Sequence, residues 1–447
     1  MKTVWSRRSE RHVNCEGISR RDFLKVGTLG FTSLTLAEFL HLRAAQADPR
    51  NPLRDKNCIL LFMNGGPSHI DTWDPKPEAP AEYRGEFNAI PTNVDGIQIC
   101  EHMPRLAQVA HHYAIIRTLT SPEGSHERAC HYMLTGYREL PTMQFPAYGS
   151  VVLREKGFRT AMPPYIAVPQ TLRGGGPGYL GAAFQPFSVG DPGTGDNFRV
   201  RDIHPVVADE RLRQRLEMLR EANAPFRAAV PDANVTALEQ FYTKAYDIVN
   251  SPEVKRAFDL SKEPRELREA YGRNSLGQGC LLARRLVERG VRFIQIYSGG
   301  NHNDYNWDAH GDLVKNHSLH AGNTDQPIAA LLKDLKRRGL LDSTIVIWGG
   351  EFGRQPTAEY EQGTGRDHNA YGFTMWMAGG GIKGGVSVGA TDELGNEAVE
   401  NRFHVKNLHA TVLWQMGLDP NKLTYFYGGL DQKLVGVEGA EPIWQII

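Results

Sequence analysis

The segment Cys58-Ile-Leu-Leu-Phe-Met63 is an unbroken apolar run that passes directly into Asn64-Gly65-Gly66-Pro67. A run this short, with no polar alternation, reads as a strand buried on both faces, and the Gly-Gly-Pro stop sends the chain straight into a loop. The pattern recurs. Tyr113 to Leu119, Tyr165 to Val168, Val291 to Tyr297, Ser343 to Trp348 and Phe373 to Ala378 are all strand-like, and Ser298-Gly299-Gly300, Gly349-Gly350 and Gly379-Gly380-Gly381 close three of them.

Between these runs the periodicity turns helical: residues 126 to 134, 208 to 222, 235 to 250, 277 to 289, 325 to 338 and 406 to 416. Gly339 and Gly417 stop the last two. Strands alternating with helices predict an α/β fold with a mostly parallel central sheet flanked by helices. The expected organisation is a single domain over residues 48–447. The Gly- and Pro-rich stretch from Arg173 to Asn197 reads as a long loop. Its Gly176-Pro-Gly178-Tyr-Leu-Gly181 lacks the helix that a dinucleotide fingerprint needs.

Residues 1–47 are set apart as a leader. Ser19-Arg20-Arg21-Asp22-Phe23-Leu24-Lys25 fits a twin-arginine export signal, an apolar stretch follows to about Leu42, and Ala45-Gln46-Ala47 offers a small-x-small cleavage site. The apolar stretch is too short and polar for a stable membrane span. The expected partner is therefore the twin-arginine export machinery, and the expected location is periplasmic or secreted. Removing the leader's eight basic and four acidic residues from 51 of each leaves 43 against 47. That mild acidity, with no basic stretch interleaved with aromatics, argues against a nucleic-acid partner. Cys58, Cys100, Cys130 and Cys280 remain, without C-x-x-C spacing; Cys58 and Cys280 read as small buried residues.

In such a sheet ligands gather beyond the carboxyl ends of the strands. There the chain places Asn64, Ser68, His69 and Asp71; Ser121, Ser125, His126 and His131; His302, Asp304, Asp308, His310 and Asp312; and Glu351, Arg354, Asp367 and His368. Four strand-end loops loaded with imidazole and carboxylate point to a binding or catalytic site. Asp308 and His310, two apart, suit extended chain converging on one ion. His368 reads as a ligand and His131 as a core residue. Calcium-loop spacing from Asp304 fails, because Ala309 and Lys315 stand where Gly and Glu are needed.

The segments Asn64 to Pro77, Ser125 to Gly136, Trp307-Asp-Ala-His310, Gly350-Glu-Phe-Gly-Arg354 with Gly365-Arg-Asp-His368, and Asn407-Leu-His-Ala-Thr411 together resemble the DUF1501 family of exported, sulfatase-like proteins. That family is similar to distant members of the alkaline phosphatase and sulfatase superfamily. The resemblance implies a divalent metal (Zn or Ca) with Asn64, Asp308, His310, Glu351 and His368 as ligands, His409 as a weaker one, and Ser68, His69 and Asp71 beside the substrate. Counting ten residues back from Gly136 reaches His126, so no formylglycine cysteine stands at the sulfatase position. Ser125 as nucleophile, His126 as ligand, and loss of the hydrolytic machinery all stay open.

The function so implied is a metal-dependent hydrolase of phosphate or sulfate esters on a small molecule or polysaccharide, with Ser125, His126 and Arg354 catalytic. In this reading Arg354 offers a bidentate fork to the tetrahedral anion. Two rivals stand beside it: a non-catalytic carbohydrate- or anion-binding protein, and a serine carboxylesterase using Ser68 next to His69.

Overall fold

Strand β1 (Asn57–Met63) is buried at every position. Cys58, Leu60 and Phe62 pack into one hydrophobic layer, while Ile59, Leu61 and Met63 pack into another. That two-sided burial is why the run shows no polar alternation. The structure is a computed structural model that describes residues 55–203, 207–229, 233–299 and 306–447. The leader read at residues 1–47, together with His302 and Asp304, lies outside the described residues.

Around β1 the strands are β2 (Tyr113–Thr120), β3 (Tyr165–Val168), β4 (Phe187–Ser188), β5 (Phe293–Ser298), β6 (Thr344–Gly349), β7 (Gly353–Arg354), β8 (His368–Asn369), β9 (Phe373–Ala378), β10 (Val386–Val388) and β11 (Phe403–His404). The central sheet has nine strands in the order β10-β2-β9-β6-β1-β5-β3-β4, with β11 also pairing β2. β1 pairs in parallel with β5 and β6, and β5 with β3. Only β9 runs antiparallel, against β2 on one side and β6 on the other. The fold is α/β with a mostly parallel sheet, as the alternation predicts.

The helices used below are α1 (His126–Thr135), α2 (Tyr148–Lys156), α3 (Asp209–Ala229), α4 (Ala233–Asn250), α5 (Ser275–Glu288), α6 (Leu313–Arg337) and α7 (Val405–Gln415). Two differ from the sequence reading. α2 was not expected, and α6 begins at Leu313 rather than near Asp325, because Gly322 and Pro327 sit inside it and mask its first half. The 173–197 segment is loop and short 3₁₀ turns, except that Phe187–Ser188 joins the sheet edge through Ile166 and Ala167. Trp73 anchors one layer, with its ring 5.1 Å from Trp348, 5.7 Å from Tyr113 and 5.9 Å from Trp376. Cys58, Cys100, Cys130 and Cys280 are all buried as free thiols. No helix among the described residues is long and apolar enough to cross a membrane.

Candidate metal centre

The loop leaving β1 lies directly against the backbone of Trp307 and Asp308. Gly65 has φ +103°, and a Cβ there would sit 2.4 Å from the Asp308 nitrogen. Only glycine fits both the dihedral and the space. The contact is sealed by Trp307 N–H, which donates to the Asn64 carbonyl at 2.8 Å. From the neighbouring strand β6 the chain reaches Glu351, whose Oε1 accepts Gly65 N–H at 2.9 Å. β7 and β8 then pair antiparallel and set His368 opposite Arg354. α1 follows β2 and opens at His126. Four chain segments thus meet beyond one end of the sheet.

Their side chains converge on Asp308. Its Oδ1 lies 3.0 Å from His310 Nε2, 3.2 Å from His126 Nε2 and 3.5 Å from His368 Nε2. Ligand-capable atoms of His126, Asp308, His310 and His368 all fall within 4.8 Å of one another. The four are half-buried, so the cluster opens to solvent.

The outer edge of the His368 ring decides which of its nitrogens faces in. His368 Nδ1 lies 2.8 Å from the Gly124 carbonyl, which can only accept, so Nδ1 carries the proton. His368 Nε2 therefore presents its lone pair, and it stands in hydrogen-bond contact with His310 Nε2 at 2.9 Å. His310 Nδ1 lies 2.8 Å from Glu359 Oε2, an ion-pair distance that does not fix its tautomer. Three imidazole nitrogens and a carboxylate oxygen gathered this closely make a donor set suited to a divalent cation. Ligands about 2.0–2.1 Å from a tetrahedral ion lie roughly 3.3 Å from one another, close to the spacings seen. The residues fit a metal ion.

Electrostatics agree with an anionic focus. Burial alone would raise the Asp308 pKa, but the neighbouring His126 and His368 imidazoles and the charge of Arg354 hold it well below the usual carboxylate range. Burial would lower His126, yet Asp308 and Glu351 outweigh it and push its pKa up to about 9. For His310 burial prevails and the pKa falls.

The family model described as "Protein of unknown function (DUF1501)" matches residues 55–447. The chain belongs to the DUF1501 family. No curated relative matches the sequence. Solved structures similar to this DUF1501 chain include a sulfatase from Pseudoalteromonas sp., at 14% identity and TM-score 0.37, covering 91% of this chain and 76% of that one. A phosphonate monoester hydrolase from Silicibacter pomeroyi matches at 12% identity and TM-score 0.38, over 82% and 74% of the two chains. An alkaline phosphatase from the Antarctic bacterium TAB5 matches at 13% identity and TM-score 0.32, over 75% and 94%.

Other expected residues of this DUF1501 chain sit differently. Arg354 is fully buried, and its guanidinium is consumed: Nε donates to Gly66 O at 2.9 Å, Nη1 to Arg366 O at 3.0 Å, and Nη2 to Gly65 O and to Asp308 Oδ1 at 2.6 Å. No free edge remains for a tetrahedral anion, so Arg354 braces the site instead of binding substrate. Ser68, His69 and Asp71, expected beside the substrate, are buried in a turn. Ser68 Oγ donates to Asp71, His69 Nε2 donates to Gly395 O at 2.6 Å, and Arg366 Nε pairs with Asp71 at 2.6 Å. The Ser68 hydroxyl is thus directed at a carboxylate rather than the neighbouring imidazole, against its use as an esterase nucleophile.

Asn64 places its carbonyl on Trp307 and its Oδ1 3.9 Å from Cys130 Sγ, one turn along α1 from His126. Ser125 is the residue before α1, half-buried, and its hydroxyl makes no capping bond. Asp312 precedes α6 with φ 55°. His131 is a core residue whose Nδ1 faces Tyr137 O at 3.0 Å. His409 is also core: Nε2 donates to Met133 O at 2.6 Å and the ring lies 3.7 Å from that of Tyr148.

Sequence reasoning missed three contributors. Phe352 packs its ring 4.9 Å from His126 and 4.4 Å from His368. Glu359 lies beside His310, and the Gly124 carbonyl orients His368. The motif Gly350-Glu-Phe-Gly-Arg354 held the Phe352 signal; the other two are loop positions with no local mark.

Proposed function

We propose that this chain is an exported metal-dependent hydrolase of phosphate or sulfate esters, with His126, Asp308, His310 and His368 holding one divalent ion. One observation carries the reading: imidazole nitrogens and a carboxylate oxygen from separate strand-end loops converge on a solvent-open point, all within 4.8 Å of one another. Three imidazoles and one carboxylate suit zinc or another first-row transition ion, whereas calcium takes oxygen ligands. When bound, such an ion polarises an ester oxygen and lowers the pKa of water.

The chain's own side chains do the remaining work. Arg354 holds Asp308 in place and is itself held by three backbone carbonyls. Phe352 walls two imidazoles and keeps water from that side. We assign the nucleophile's role to Ser125, beside His126 and at the N-terminus of α1, where free backbone N–H groups favour an anion.

The test begins with elemental analysis of protein folded in the cytoplasm, expected to give a transition metal. His310→Ala and His368→Ala should each lose it. Aryl phosphates and aryl sulfates are then assayed with wild type and Ser125→Ala. Loss of turnover with metal retained supports Ser125 as nucleophile; undiminished turnover points to water. A metal-loaded chain inactive on every ester would favour the non-catalytic binder.

A further inference from the structure

We propose that Glu351 is a positioning residue for His126 and not itself a ligand of the ion; this rests on the metal reading above. The family resemblance implies the opposite, a carboxylate ligand at the end of β6.

Glu351 is fully buried, and a single oxygen does two tasks. Its Oε1 lies 2.6 Å from His126 Nδ1 and accepts Gly65 N–H at 2.9 Å. A carboxylate oxygen only accepts, so Nδ1 of His126 carries a proton and the lone pair of the neutral ring sits on Nε2. That nitrogen is the one 3.2 Å from Asp308 Oδ1, on the inner edge of the ring. Glu351 touches the opposite edge. The imidazole therefore stands between Glu351 and the point of convergence, and the converging set does not include Glu351.

The same carboxylate couples two loops. Gly65 belongs to the turn that lies on the Asp308 backbone, so Glu351 references His126 and Asp308 to one anchor. Its neighbour Phe352 packs against the His126 ring and limits rotation. A buried carboxylate behind an imidazole makes the far nitrogen a better donor, and losing such a partner typically weakens metal affinity about 10–100-fold. The second oxygen, Oε2, is buried with no hydrogen-bond partner among the described residues, so a ligand role toward a second ion is the rival to exclude.

The experiment titrates the full mature chain with Zn²⁺ against a competing chelator and records the Co²⁺ absorption spectrum. Glu351→Gln keeps an acceptor toward Nδ1–H and removes the charge. Its Zn²⁺ affinity should fall about 10–100-fold, with one ion still bound and the Co²⁺ band shape kept. In a His126→Ala background the same change should add little, because Glu351 acts through that ring. Affinity within twofold of wild type overturns the proposal. So does a drop from two bound ions to one, a Co²⁺ spectrum showing a lost ligand, or a full additive loss in the His126→Ala background. Should Glu351→Gln not fold, Glu351→Asp, which keeps the charge at shorter reach, takes its place with the same readings. A wild type that binds no Zn²⁺ overturns the metal reading itself, a result distinct from all of these.

Discussion

Arg354 Nη2 lies 2.6 Å from Asp308 Oδ1, the same oxygen that three imidazoles approach within 3.5 Å. The guanidinium is wholly buried while Asp308 is partly open, so the pair runs from the protein interior to the mouth of the site. Arg354 thereby holds the orientation of Asp308 and helps to keep it charged. An arginine that sequence reasoning assigns to substrate is, in the fold, the anchor of the acidic focus.

Arg354→Lys should therefore damage the fold as well as the site. Lysine keeps the charge but cannot reach Gly66, Arg366 and Asp308 together. Breaking one side of a buried pair costs about 3–5 kcal/mol. Thermal unfolding should show a large drop, and metal content should fall with it. A variant with wild-type stability and metal but lost ester hydrolysis would return Arg354 to a substrate role.

Gly65→Ala tests how the β1 loop docks. Its φ of +103° is a conformation that costs a non-glycine residue roughly 1–3 kcal/mol, and the added Cβ meets the backbone at Asp308. Denaturant unfolding should register that loss, and the metal content should fall because Asp308 moves. Gly96, also at positive φ but with nothing near its Cβ position, is the control: Gly96→Ala should cost only the dihedral strain and leave the metal in place.

Acid stability should carry a mark of His409. Burial lowers its pKa to about 3, while the Met133 carbonyl works the other way without prevailing. In the unfolded chain the imidazole titrates near 6.5. Above pH about 6.5 both states are neutral and the contribution is intact; as the pH falls toward 3 the unfolded state alone takes up the proton. Stability is therefore lost across that window, by up to a few kcal/mol on the order-of-magnitude linkage arithmetic. His69 and His317, also lowered by burial, act with the same sign. His409→Gln, measured by denaturant unfolding from pH 7 to 4, should show a shallower decline; an unchanged slope would remove His409 from the account.

Export depends on residues outside the described structure. If the twin-arginine signal is read as proposed, Arg20→Lys with Arg21→Lys should hold the precursor in the cytoplasm. Cell fractionation and the size of the protein decide it, and normal processing after Ala47 would count against the pathway.

The sequence by itself determined the sheet and the kind of side chains gathered at its edge. Runs such as Cys58 to Met63 need two apolar faces, which only a central strand covered on both sides supplies, and the Gly-rich stops locate the strand ends where polar residues gather. Asp308, His310 and His368 were legible because a two-residue spacing and strand-end placement are local properties. Direction and partnership are not local. Nothing in Phe373 to Ala378 distinguishes an antiparallel strand from a parallel one, since either buries the same side chains. Nothing in Glu351 or Arg354 tells whether the charge faces an ion, a substrate or another side chain. Packing decided what each charge faces: the His126 imidazole came to lie against Glu351, and three backbone carbonyls came to surround Arg354. A buried charge takes its role from whatever neutralises it, and that neighbour is chosen only when distant segments meet.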